Sequence, residues 1–126
     1  MAEGLTLDSG ALIAAEKNDR HFWAVWEEAL DRGALVTVPA PVLGQVWRGN
    51  RPMIARLLQA CEVETLDETG AKRVGELLAK SRTSDIVDAT VVLGAAARRD
   101  AIFTSDRKDM GRLAAAAHKK IRIIHV

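Results

Sequence analysis

The chain is poor in the residues that make covalent or soft-metal scaffolds. Its 126 residues hold one cysteine, Cys61, and three histidines, His21, His118 and His125. A lone cysteine excludes an intramolecular disulfide framework and a Cys-rich zinc site, and the histidines lack metal-ligand spacing. Tyrosine is absent, and only three tryptophans and two phenylalanines are present. Platforms for stacking bases are therefore scarce, and Trp23, Trp26 and Trp47, at helical spacing, read first as packing residues. Three prolines (Pro39, Pro41, Pro52) and no Ser/Gly linker leave no internal boundary, so residues 1–126 are expected to form one domain. No apolar run approaches the roughly 20 residues of a membrane span. Met1 to Thr6 shows no basic segment followed by an apolar one, which makes the cytoplasm the expected location. Charge of one sign is missing too: 18 Lys+Arg against 17 Asp+Glu give a formal +1. Bulk electrostatic attraction to nucleic acid is thereby disfavoured, although a local basic rim remains open.

What is present is an alternation of short β-like runs with helical stretches. Leu5-Thr6-Leu7 is a strand ending at the helix-capping pair Asp8-Ser9, before a helix opening at Ala11-Leu12-Ile13. Phe22, Val25, Trp26 and Leu30 share one helical face, and Ala34 to Val38 reads as a buried strand. Helices follow at Pro41 and Pro52, then an alternating strand over Glu62 to Leu66 and a helix capped by Asp67. Thr83 or Ser84 is the expected cap of the most apolar helix, Ile86 to Ala97. Ala101 to Thr104 is the next strand, Lys108 to Ala117 a helix, and Ile121 to Val126 an edge strand. This order predicts an α/β three-layer sandwich with a mainly parallel, five-stranded sheet flanked by helices. The 21 alanines let those helices approach the sheet closely.

In such a fold ligands bind beyond the carboxyl ends of the strands, and aspartates from distant parts of the chain fall there. Asp8 ends the first strand, and Asp106 follows the strand Ala101 to Thr104. Asp85 and Asp88 lie three apart at the start of the apolar helix, on one face. Capping explains Asp8, Asp85 or Asp106 taken singly. It does not explain Asp88, which sits among Ile86, Val87, Ala89, Val91 and Val92 with no cation within a helical turn. Carboxylates meeting at one point repel, and a hard divalent ion such as Mg²⁺ or Mn²⁺ relieves that repulsion. All-oxygen sites of this kind suit phosphodiester hydrolysis. Ser9, Thr104 and Ser105 stand ready to hydrogen-bond a ligand water or carboxylate. Arg48, with Arg51 and Arg56, is a candidate for phosphate contact, against the plainer reading of a solvated face.

The segments Leu7-Asp8-Ser9-Gly10-Ala11-Leu12-Ile13, Pro39-Ala40-Pro41-Val42-Leu43, Ser84-Asp85-Ile86-Val87-Asp88-Ala89 and Thr104-Ser105-Asp106-Arg107-Lys108-Asp109 resemble the successive motifs of PIN-domain nucleases, above all the VapC-type ribonuclease toxins. The resemblance implies a PIN-like fold and a Mg²⁺- or Mn²⁺-dependent endoribonuclease that acts on RNA as a homodimer and is inhibited by a VapB-like antitoxin. It places metal-binding and catalytic roles on Asp8, Asp88 and Asp106, with Asp85 as an additional acidic ligand and Asp109 peripheral. One position departs: where the family carries its second acidic residue, a glutamate, this chain has Gln45. An amide oxygen can still ligate through water, but it brings no charge. The alternative is therefore a catalytically weakened PIN-like module that binds RNA or antitoxin.

Two other α/β classes fail on their residues. A dehalogenase-like phosphatase needs a second aspartate where Gly10 stands, and a receiver domain needs a lysine after the strand that here ends in Thr104-Ser105-Asp106. No Gly-rich loop follows the first strand, which excludes a dinucleotide binder.

Overall fold

The computed structural model describes residues 3–126; Met1 and Ala2, where the segment read for an export signal begins, lie outside them. Strands β1 (Leu5–Leu7), β2 (Val36–Pro39), β3 (Glu62–Glu64), β4 (Ala101–Thr104) and β5 (Ile123–His125) form one sheet. Its order is β3-β2-β1-β4-β5, and every neighbouring pair is parallel. Between the strands run α1 (Ser9–Glu16), α2 (Arg20–Asp31), α3 (Ala40–Val46), α4 (Pro52–Leu58), α5 (Glu68–Ser81), α6 (Ile86–Arg98) and α7 (Arg107–Ala116). The element order is the one expected. None of the helices is long and apolar enough to cross a membrane.

Several boundaries move for local reasons. Ala34 closes the turn after α2 by bonding Ala29, and Leu35 is 58% exposed, so β2 starts only at Val36. Pro39 stays in the strand and serves as the N-cap of α3. At the start of α6 the cap is Asp85, not Thr83 or Ser84: its carboxylate accepts the Asp88 N–H at 2.9 Å. Helix α1 begins at Ser9, two residues before Ala11, because the Asp8 carboxylate takes the Ser9 N–H. The strands expected over Glu62 to Leu66 and Ile121 to Val126 shorten to three residues each at the sheet's two edges.

Strand side chains alternate between the faces of the sheet. Leu5, Leu7, Val36, Val38 and Phe103 face α1 and α2, where Phe103 stacks on Phe22 with ring centroids 5.5 Å apart. Thr6, Thr37 and Thr104 lie on the α6 face, an unusually polar choice for buried strands. Thr6 is satisfied by a closed network: its hydroxyl donates to Asp100 at 2.7 Å and accepts from the Arg98 guanidinium at 2.9 Å. Arg98 also donates to Asp100 at 2.9 Å and pairs with Glu64. This network ties the end of α6 to β1, β3 and the turn into β4.

Removing Arg98 would leave the Asp100 carboxylate buried without its counter-charge. Arg98→Met is expected to destabilise the protein by about 3 kcal/mol, as for other broken buried pairs. Urea denaturation of both forms measures it, and an unchanged midpoint would show the network to be dispensable.

Candidate functional site

Parallel pairing brings the carboxyl ends of β1 and β4 together, and with them the first two aspartates. Leu7 is in register with Phe103, and the Asp8 N–H continues the ladder to the Phe103 carbonyl at 3.0 Å. Asp8 is only 3% exposed. A carboxylate so buried needs donors, and it has them: the Ser9 N–H at 2.6 Å and the Thr104 hydroxyl at 2.7 Å. The same Thr104 oxygen accepts the Asp106 N–H at 2.9 Å. One fully buried hydroxyl therefore positions both Asp8 and the residue that opens α7.

Asp106 is exposed at the head of α7, where its carboxylate caps the Asp109 N–H at 3.1 Å. Ser105, also exposed, lies hard against the start of α1. A Cβ on Gly10 would stand 2.1 Å from the Ser105 Oγ and 3.0 Å from its backbone nitrogen. Only glycine permits that approach, so Gly10 sets how closely the turn after β4 approaches the turn after β1. The resemblance motif contains this glycine, but sequence reasoning assigned it no role.

Helix α6 supplies the third element. Asp85 is exposed and Asp88 half-buried. Both line a cavity of about 90 Å³ together with Thr83, Asp109, Arg112 and Leu113. Desolvation, followed by the charges of Asp85, Asp8, Asp106 and Asp109, pushes the Asp88 carboxyl up to about 7. Its partners in that list come from β1, α6 and α7, so the sequence-predicted aspartates do face a common field. Asp109 also titrates above the usual carboxylate range, because it shares a hydrogen bond and a repulsion with Asp106. None of the ion pairs among the described residues involves Asp8, Asp85, Asp88, Asp106 or Asp109. The nearest compensation is Arg112, which lines the same cavity and acts on Asp109 without forming an ion pair.

The grouping is loose. Among the described residues, no three His, Cys, Asp or Glu side chains converge tightly enough to form a closed metal cage. An ion that keeps most of its own waters does not require one, since one or two direct carboxylates suffice for Mg²⁺. The donor chemistry, all oxygen and all acidic, fits such an ion. Asp8 offers the most fixed carboxylate, held by Ser9 and Thr104, and Asp88 is the carboxyl on which the other acidic charges act.

The remaining sequence candidates lie to one side. Gln45 and Arg48 are exposed and line a groove of about 280 Å³ between α1, α3 and α4, together with Ile13, Glu16, Arg51 and Ile54. Arg48 donates to the neighbouring Trp47 carbonyl at 2.7 Å. Trp26 is core, packed with Phe22 and Trp23. Burial pushes the Cys61 thiol up to about 12, which makes it unreactive.

This architecture is PIN-like: five parallel strands between helical layers, with acidic side chains at their carboxyl ends. It superposes on a chain of VapBC2 from Rickettsia felis, bound to a DNA fragment from their promoter, with a TM-score of 0.72 at 13% identity, over 97% of this chain and 98% of that one. DNA-bound VapBC from Salmonella typhimurium gives 0.69 at 15% identity, over 98% of each chain. A toxin–antitoxin complex from Klebsiella pneumoniae gives 0.66 at 17% identity, over 84% of this chain and 89% of that one. At such identities the likeness is one of fold. No protein-family profile matches the sequence, and no curated protein is similar to it.

The raised Asp88 carboxyl makes stability depend on pH in a definite direction. A group whose folded pKa exceeds its unfolded value stabilises the fold when protonated, and that contribution is lost as pH rises through the folded pKa. In a chelating buffer, the melting temperature of the unmodified chain should therefore fall relative to that of Asp88→Asn between about pH 4 and 7 and level off above. Parallel thermal-melt curves for the two forms across that window would contradict the assignment.

Proposed function

We propose that the protein is a Mg²⁺- or Mn²⁺-dependent endoribonuclease, the toxin of a toxin–antitoxin pair. What carries the reading is the set of mutually repelling aspartates, none of them in an ion pair, at the carboxyl rim of a fold shared with chains of VapBC complexes. Asp8, Asp88 and Asp106 would hold the ion, with Asp85 as a further acidic neighbour. When bound, the ion supplies charge for the phosphate and a more acidic water for attack. The chain's own groups do the positioning. Thr104 holds Asp8 in one orientation from its buried side, leaving the rim open. Ser9 and Ser105 present hydroxyls at that rim for water or phosphate oxygens, and Arg48 offers a cation to the RNA backbone further along the groove.

The expected partners, besides RNA, are a small VapB-like antitoxin and a second copy of the chain. The groove between α1, α3 and α4 suits the antitoxin: Ile13, Val46 and Ile54 give it an apolar floor, and Arg48 and Arg51 a basic margin. Exposed Trp47, with Leu43 and Leu58, gives a separate apolar surface for a second copy. A weakened module that binds RNA or antitoxin without cutting remains the second reading. It is favoured by the loose spacing of the carboxylates and by Gln45, which adds no charge.

Incubation of the purified chain with total RNA decides between them. Cleavage in Mn²⁺ that stops in EDTA, and that falls roughly a hundredfold or more in Asp8→Asn, supports the nuclease. Equal cleavage by both forms would assign the activity to a contaminant, and RNA binding without cleavage would identify the weakened module. Gln45→Glu adds a charge in the groove between α1, α3 and α4, at the position where the resemblance places an acidic residue. It is expected to tighten Mn²⁺ binding by up to about tenfold in a calorimetric titration, the screened value for an exposed position. Identical affinities would show that residue 45 lies outside the ion's field.

A further inference from the structure

The end of the sheet opposite the aspartates carries an unassigned basic cleft. Glu3 precedes β1, Arg99 and Asp100 precede β4, and Lys119, Lys120 and Arg122 precede β5. All six line an opening of about 420 Å³. Its two carboxylates are already engaged. Glu3 pairs with Arg122 at 2.7 Å, and Asp100 is buried against Arg98 and Thr6. Arg99, Lys119 and Lys120 have no acidic partner among the described residues. A cation at each helix carboxyl end is what the macrodipole favours. That accounts for Arg99 after α6 and one lysine after α7, but not for three uncompensated cations converging on one opening. In a chain of net charge +1, they place positive potential at one end and the clustered aspartates at the other.

We infer that this cleft binds the phosphate backbone of RNA at a second place, remote from the acidic rim. The inference rests on the ribonuclease reading and adds to it the class of substrate: a folded RNA large enough to touch both ends of the sheet. The strands of three or four residues and their turns separate those ends by about 20 Å. A di- or trinucleotide at the rim is too short to reach the cleft, and such a minimal oligonucleotide is the short substrate of the test below. Flexible lysines around an open, polar cleft act as point charges on a backbone and carry no base readout. The cleft therefore supplies affinity and register for the RNA, while the rim supplies the chemistry.

The test compares the unmodified chain with Arg99→Gln/Lys119→Gln/Lys120→Gln. Binding of labelled bulk transfer RNA is followed by fluorescence anisotropy in EDTA, across a salt series. The variant should bind about tenfold more weakly, with a log-affinity against log-salt slope shallower by about 2, the loss of three phosphate contacts. Mn²⁺-dependent cleavage of a short single-stranded oligonucleotide should be unchanged, which also certifies the fold. Equal affinity and slope for the two forms would overturn the inference, as would a loss confined to duplex DNA or equally large for the short oligonucleotide. Because binding is read in chelator, a failure of the nuclease itself shows up separately, as absence of oligonucleotide cleavage by the unmodified chain.

Discussion

The candidate site depends on one hydroxyl. Thr104 sits at the last position of β4, fully buried, and its oxygen donates to Asp8 while accepting from the Asp106 backbone. Without it the Asp8 carboxylate would keep only the Ser9 N–H and a long contact from the Ser9 hydroxyl, both on one oxygen, and a buried carboxylate left short of donors costs more than the bond itself contributes. The bond is possible only because β1 and β4, almost a hundred residues apart in sequence, are neighbours in a parallel sheet. The crossovers through helices therefore do more than build a core. They deliver two acidic positions to one rim, in register, close enough to the start of α6 for both charges to act on Asp88.

The same face of the sheet shows how the chain divides polar labour along its length. Thr6 and Asp8 are two residues apart and point to the same side, yet their environments are opposite. At Thr6, Arg98 and Asp100 compensate each other and close the network. At Asp8 the donors are neutral, the Ser9 N–H and the Thr104 hydroxyl, and beyond it the charges of Asp85, Asp8, Asp106 and Asp109 all bear on Asp88. A fold selected only for stability would have neutralised both ends of the strand in the same way. It holds one end closed and leaves the other unbalanced, and the proposed cation site rests on that difference.

Element order and parallel topology were legible because hydrophobic runs of strand length alternate with helical faces along the whole chain, and short connections leave few alternatives. The aspartates were legible because each follows a strand or opens a helix, and Asp88 because nothing around it in sequence could pay for its charge. The cap of α6 was misread: Thr83, Ser84 and Asp85 are all good caps, and only the backbone geometry chooses among them. Two features left no local signal. The Arg98–Asp100–Thr6–Glu64 network joins residues that only tertiary packing brings together, and the convergence of Arg99 with Lys119 and Lys120 depends on two loops meeting at the sheet's amino-terminal edge. Nothing in the sequence separates Lys119 and Lys120 from an ordinary solvated tail. Gly10 lay between these cases: its motif was visible, but its contact with Ser105 was not.

On the proposed reading, the protonation of Asp88 and the capture of an ion are one equilibrium. A carboxyl raised to about 7 is partly protonated at neutral pH, so an ion that uses it must displace a proton. Affinity then rises with pH until Asp88 is fully ionised, and the repulsion that raised its pKa becomes attraction for the cation. The charge missing at Gln45 works in the same direction. A glutamate there would add repulsion to the empty site as well as attraction to the filled one, whereas the amide spares the apo protein that strain and leaves the ion more weakly held. Loose spacing, a raised carboxyl and a neutral fourth position thus describe a site in which much of the order comes from the ion and its substrate, around the single carboxylate that Thr104 has already fixed.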